Sequence, residues 1–194
     1  MRHIKTHNTE DKKYWVEKYC LKHELRFIEI IKSLGDYDLK INPEKTEDPT
    51  SIDYIWNGQL ADLKTQTTPF FTSGRYGIDA QYAATFNRND YERYLEYEKR
   101  LQKPVQIFFW IDWQQLTWND KSINYLFGIY HGSLRRIKKM VLDGAPEHAY
   151  LRRKNDIKGN AKSSFILDIR DFNMIYQKRK QQEVEKEKRV SISL

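Results

Sequence analysis

The chain has 194 residues, with 34 Lys and Arg against 27 Asp and Glu, a formal net charge of +7, and 14% aromatic residues. That is enough for one domain with a real core, and the aromatic content argues against general disorder. A single cysteine, Cys20, excludes an internal disulfide framework and a multi-cysteine zinc site. No apolar run reaches the ~20 residues of a membrane span and MRHIKTH lacks a signal-peptide core, so the expectation is an intracellular, cytoplasmic protein without membrane contact.

Thr9-Glu10-Asp11 supplies a capping residue and an acidic first turn, and helical periodicity then runs to Leu34, where Gly35 is a natural stop. At about 100° per residue, Val16, Cys20, Leu21, Phe27, Ile28, Ile31 and Leu34 form one apolar stripe, opposite Lys18, Lys22, Arg26, Glu29 and Ser33. Glu24 falls inside the stripe, with Glu17 two turns earlier on the same line. A carboxylate aimed at a core is costly without a partner. YDLKINP reads as a short strand closing at Pro43 and EKTEDPT as a polar loop. Asn57-Gly58 between apolar residues is a strong hairpin signal, because a two-residue type I′ loop needs φ > 0 at both positions.

TTPFFTSGRYG follows as a loop. DAQYAATF is a short strand or the start of a helix, and Asn89-Asp90-Tyr91-Glu92 fits a capping box opening a helix to about Gln102. PVQIFFWIDW resembles a buried central strand. INYLFGIYH is another strand, SLRRIKKMVLDG a short amphipathic helix ended by Gly144, and SSFILDIRDF one more strand. The mixed-sign stretch 177–194 reads as a charged C-terminal helix or tail. Helices alternating with strands, plus a hairpin, imply an α/β fold with a central mixed β-sheet flanked by helices.

The hairpin fixes a register in which Trp56 faces Gln59, Ile55 faces Leu60, Tyr54 faces Ala61 and Asp53 faces Asp62, with Lys64 on the face of Asp62. Like charges directly opposite on one face are destabilising. Two carboxylates on adjacent strands can chelate a hard divalent cation such as Mg2+, and a lysine beside them can hold the attacking water or offset charge at phosphorus. Glu24, from a helix packed on the sheet, adds a third acid.

An Asp, a hairpin, then Asp62-Leu63-Lys64 resembles the PD-(D/E)xK nuclease superfamily, whose core order of helix, three strands, helix, strand is matched from about Thr9 to Trp113. The resemblance implies a restriction-endonuclease-like core over about 9–113, a family-specific elaboration over 114–176, and a single nuclease-like domain over 1–176. It also implies that Asp53, Asp62 and Glu24 bind Mg2+ (Mn2+ being able to substitute), that Lys64 assists the nucleophilic water, and that Gln66 faces the site. Ile52 stands where the name-giving proline would precede the first Asp, and Thr85 stands where the exonuclease-like branch carries a tyrosine after its glutamine, here Gln81.

The five histidines show no metal-ligand spacing with cysteine, and no Gly-x-x-x-x-Gly-Lys is present to cradle a nucleotide. The basic balance points to a polyanionic partner, nucleic acid and foremost DNA. Arg75 and Tyr76, in Ser73–Gly77, are a DNA-contacting pair or part of a plain surface loop. Arg135, Arg136, Lys138 and Lys139, with Arg152, Arg153 and Lys154, are candidate backbone contacts, though a solvated helix face accounts equally for the first group. The expectation is a magnesium-dependent DNA endonuclease of restriction, repair, junction or phage type, working as a homodimer if both strands are cut. The rival is a non-catalytic nucleic-acid-binding protein on the same fold.

Overall fold

The helix expected from Thr9 is described over Leu21–Ser33 (α1) in the computed structural model, which describes residues 21–35, 38–48, 51–149 and 163–178. Glu17 and Cys20 lie outside the described residues, as do Arg152, Arg153, Lys154 and the stretch 179–194 expected as a charged helix. α1 buries Phe27 and Ile31, four apart and so on one face, and leaves Arg26 and Glu29 exposed. Gly35 follows at φ +132°, a conformation that suits glycine and ends the helix.

Next come β1 (Leu39–Ile41), a 3-10 turn over Pro43–Thr46 capped by Asn42, β2 (Tyr54–Trp56), β3 (Gln59–Gln66) and β4 (Ala83–Asn87). DAQYAATF therefore resolves as a strand. Asn57 and Gly58 take φ +48° and +75°, and β2 pairs with β3 in the register the dipeptide dictates: Trp56 with Gln59, Ile55 with Leu60, Tyr54 with Ala61. α2 (Arg88–Leu101) begins two residues earlier than the Asn89 box predicts. Asn87 is the N-cap, its side chain accepting from Asn89 N–H at 2.8 Å, so the second asparagine of Asn-Arg-Asn is already helical. Gln102 ends α2 at φ +50°, and Pro104 prevents its continuation.

β5 (Val105–Asp112) is the spine of the molecule. It lies parallel to β3 on one side and antiparallel to β8 (Phe127–Ser133) on the other. A parallel step requires a crossover, and α2 is that crossover. Buried on both faces, β5 sends Ile107, Phe109 and Ile111 into a core with Tyr91 and Tyr94 of α2, and Phe108 and Trp110 into a second core with Phe27 and Ile31 of α1. This is why the stretch reads as continuously apolar rather than alternating.

Residues beyond 113 extend the same layers. They form a small hairpin, β6 (Thr117–Trp118) and β7 (Lys121–Ser122), then β8, α3 (Leu134–Leu142), β9 (Glu147–Ala149), β10 (Ser163–Asp168) and β11 (Asn173–Gln177). The six-stranded central sheet has the order β1-β2-β3-β5-β8-β11, and only β3–β5 is parallel. A three-stranded sheet, β4-β10-β9, lies on the α2 side through Ala84, Phe86, Phe165 and Leu167. β11 has no alternating pattern in sequence. It exists because a 3-10 turn at Ile169–Asp171 returns the chain to the open edge of β8, with a bulge between Met174 and Tyr176. No helix among the described residues is long and apolar enough to cross a membrane.

Candidate active site

One residue before β2, Asp53 leaves the ladder. Its carbonyl still accepts from Asn42 N–H at 2.9 Å, but its carboxylate Oδ2 accepts from Leu63 N–H at 3.0 Å. A carboxylate bonded to a strand N–H lies in the plane of the sheet, where the next residue of β2 would have continued the pairing. Along β3, Ala61 and Leu63 face α1, which leaves Asp62 and Lys64 on the α2 face. The expected shared face thus holds for Asp62 and Lys64, while the Asp53 carboxylate is tied to the Leu63 N–H of β3.

Each aspartate has its own lysine. Lys45, on the 3-10 turn after β1, donates to Asp53 Oδ1 at 2.5 Å and to Glu24 Oε1 at 2.6 Å, and all three side chains are at most one-fifth exposed. Glu24 therefore approaches the hairpin through Lys45, whereas Glu29 on the same helix is exposed. Lys64 Nζ lies 2.7 Å from Asp62 Oδ2, 2.7 Å from Asp90 Oδ2 and 3.1 Å from the Tyr94 hydroxyl. Of these, Asp90 and Tyr94 accept hydrogen bonds from the ammonium, while Asp62 Oδ2 is paired with it by charge and has no hydrogen-bond partner among the described residues. Arg93 closes the group, 2.7 Å from Asp90 and 3.3 Å from the Tyr94 hydroxyl. Asp90, Arg93 and Tyr94 share the first turns of α2, so the crossover helix clamps Lys64 from above the sheet.

The electrostatics follow from burial. Desolvation raises the Asp62 carboxyl to about 6 from its ordinary 3.8; Lys64 and Tyr94 pull it down and the nearby Asp53 charge pushes it up. Burial acts on Lys64 in the opposite sense, but Asp62, Tyr94 and Asp90 outweigh it and hold the ammonium well above its ordinary pKa. Lys45 is likewise raised, because Asp53 and Glu24 more than offset its burial. Tyr54 ties the clusters together. Its hydroxyl is buried with no hydrogen-bond partner among the described residues, and after desolvation it is the charges of Glu24, Asp53 and Asp62 that push its pKa up. An unsatisfied buried hydroxyl costs roughly 1–3 kcal/mol.

A hard divalent ion suits this donor set, since the acids offer only carboxylate oxygens. The two carboxylates bridged by Lys45 already share one cation. Among the described residues, no group of three or more acidic, His or Cys side chains stands assembled as a metal cage, and the carboxylates are held in ion pairs by Lys45 and Lys64.

The other expected residues are placed elsewhere. Gln66 is engaged with β4, donating to the Thr85 carbonyl at 2.8 Å and accepting from Thr85 N–H at 3.2 Å, so it joins the two sheets and is not brought to the carboxylates. Arg75 is exposed on a 3-10 turn, and Tyr76 contacts His148 Nδ1 at 2.8 Å beside Phe70. Arg135 and Arg136 are exposed on α3 and line an open cleft of ≈ 770 Å³ with Gln106, His131 and Lys139. Lys45, Asp90, Arg93 and Tyr94 were not anticipated. The i, i+3 and i, i+4 spacing from Asp90 to Arg93 and Tyr94 is a signal the sequence did carry; Lys45 sits in a polar loop whose contacts are all tertiary.

Fold and cluster together define a class: an α/β protein with a mixed central sheet flanked by helices, gathering carboxylates and lysines at the root of a β-hairpin. No protein-family model matches the chain, and neither a curated protein nor a solved structure is significantly similar to it.

Proposed function

We propose that this chain is a magnesium-dependent DNA endonuclease with a restriction-endonuclease-like core, hydrolysing phosphodiester bonds at the hairpin cluster. One observation carries the reading: Glu24 and Asp53, drawn from a helix and a strand root, converge on one ammonium at the hairpin that also carries the buried Asp62–Lys64 pair. The order of elements from Leu21 to Asp112 supports it, running helix, three antiparallel strands, an added strand, crossover helix and a strand parallel to the third.

Asp53 and Asp62 would hold the ion, with Glu24 completing the acidic pocket. The ion, when bound, supplies Lewis-acid polarisation of the phosphate and a water acidic enough to ionise near neutral pH. Lys64 stays an ammonium at any working pH, since its pKa is held well above the ordinary value. It is therefore no general base. It orients the water by donating to it and offsets charge that develops at phosphorus. Asp90 and Tyr94 fix where that ammonium points. The net charge of +7, with exposed Arg75, Arg135 and Arg136, supplies sequence-independent affinity for the backbone. Cutting both strands of a duplex would call for a homodimer.

The second reading, a non-catalytic nucleic-acid-binding protein, is favoured by one feature: each of the three acids already has an internal lysine partner. Purified chain incubated with labelled duplex, single-stranded and branched DNA, and with RNA, with and without Mg2+, separates the two. Metal-dependent cleavage establishes the nuclease. Binding without cleavage of any substrate by wild type establishes the binding module.

A further inference from the structure

Glu24 and Asp53 hold one ammonium between them, at 2.6 Å and 2.5 Å, in the place where the magnesium reading puts two ligands of the ion. We propose that Lys45 is a resident counter-ion of the metal site: it occupies the cation position in the metal-free protein, and a divalent ion binds by displacing it. This rests on the reading of the site as a magnesium centre.

Four observations carry it. The first is the sharing of a single cation by carboxylates from two different elements, α1 and the root of β2, which no local structure requires. The second is the buried Tyr54 hydroxyl, on the residue next to Asp53 and unpartnered among the described residues. The third is charge. Glu24, Asp53, Asp62 and Asp90 face Lys45, Lys64 and Arg93, which leaves one formal negative charge in excess, and a divalent ion added without further change turns it into one positive charge. That sign suits a phosphodiester, and the metal-free sign repels it.

The fourth is which lysine is able to leave. Lys64 stands on β3, paired on both sides, and its ammonium is held by Asp62, Asp90 and the Tyr94 hydroxyl. Lys45 stands on a one-turn 3-10 helix after the edge strand and has only two carboxylate partners. Displaced, its ammonium remains on the turn at the rim of the cluster. Lys45 is thus a gate on ion binding, and the chemistry would fall to the other residues.

If the ammonium-bound form dominates, apparent ion affinity is lowered by the fraction of protein that is open. Calorimetric titration of the metal-stripped full chain with Mn2+ at neutral pH measures this directly. Wild type should bind, Lys45→Met should bind about tenfold or more tightly, and Lys45→Arg should stay at or below wild type because it restores the competing charge. Tighter binding in Lys45→Met alone establishes displacement. Binding by wild type with equal or weaker binding by a folded Lys45→Met, checked by circular dichroism, overturns the displacement and leaves the metal reading standing. Absence of Mn2+ binding in wild type and variant alike overturns both. Lys45→Gln, nearly the same length and uncharged, repeats the comparison should Lys45→Met fail to fold.

Discussion

Lys64 projects from a strand inside the central sheet and is held by Asp62, Asp90 and Tyr94, whereas Lys45 projects from a 3-10 turn beside the edge strand and is held by Glu24 and Asp53. Both lysines solve one problem, the crowding of carboxylates at a hairpin root. They solve it with different permanence. The α2 clamp on Lys64 is made of residues from one helix in fixed phase, so it moves only if the helix moves. The bridge made by Lys45 joins two elements through one side chain and opens by a change of rotamer. On the proposed nuclease reading, a site that accepts an ion and then works on a phosphate needs one cation that stays and one that leaves.

The largest expected effect separates the cluster from the rest of the surface. On the proposed reading, Asp62→Asn, Asp53→Asn and Lys64→Ala should each lower cleavage by about two orders of magnitude or more, since each would remove an ion ligand or the charge facing phosphorus. Binding to labelled DNA should persist in all three, because phosphate contacts spread over many cations supply most of the affinity. Unchanged cleavage by Asp62→Asn ends the active-site assignment.

Stability in the absence of metal tests the contrast between the lysines. Lys64→Met strands buried Asp62 beside Asp90, and urea unfolding in chelator should show a loss of about 3–5 kcal/mol, the usual consequence of breaking a buried pair from one side. Lys45→Met leaves Glu24 and Asp53 without their shared cation, and a smaller loss is expected because both carboxylates, at 19% and 17% exposure, are less buried than Asp62 at 4%. Equal losses would mean that the two bridges are equally fixed, and the exchange proposed for Lys45 would lose its physical basis.

Much of this arrangement was legible before the fold was. The hairpin register depends on two adjacent residues, Asn57 and Gly58, whose backbone preference is local. Glu24 was found because helix phase carries information over several turns, and β5 because burial on both faces leaves no polar residue to break the run. The errors have the opposite character. Asn87 and Asn89 are equally good caps in isolation, and only the entry of the chain from β4 decides between them. Gln66 is taken up in a bond with β4 because of a pairing between sheets. Lys45 and Asp90 lie 21 and 26 residues from the partners they meet, Glu24 and Lys64, and no spacing rule spans such separations. β11 is polar, bulged and at an edge, where the pattern that marks a strand is weakest.

A pH series sharpens the picture on the α2 side. Burial raises the Asp62 carboxyl to about 6 from 3.8. Below pH 4 the group is protonated folded and unfolded and contributes nothing. Between pH 4 and 6 the folded protein keeps a proton that the unfolded chain has lost, so stability from this group falls as pH rises through that window, and above it the folded state carries a disfavoured charge. Asp62→Asn in chelator should therefore melt higher than wild type at pH 7.5, with the gap closing toward pH 4. A variant that melts lower at pH 7.5 would show that Lys64 outweighs burial and that the carboxylate is a structural ion pair.

The smallest effect concerns what holds the clamp in place. Asn87 caps α2, and Asp90, Arg93 and Tyr94 all belong to the first two turns that follow. Removing an N-cap side chain typically costs about 1 kcal/mol, whereas an exposed position inside the first turn changes stability by less than roughly 0.5 kcal/mol. Asn87→Ala should thus lower the melting temperature while Asn89→Ala leaves it nearly unchanged, the reverse of what the sequence alone predicts. The consequence reaches the site unequally. Fraying at the start of α2 loosens Asp90 and frees one donor of Lys64, yet touches neither Glu24 nor Asp53, which hang from α1 and the hairpin root. Amide hydrogen exchange in Asn87→Ala should then rise in the first turn of α2 and stay unchanged in the described part of α1. Mn2+ affinity, governed by Lys45, should stay close to wild type. A cap mutation that weakened ion binding as much as it loosened α2 would show that the two lysine clusters open together, and the division between a fixed cation and an exchangeable one would have to be abandoned.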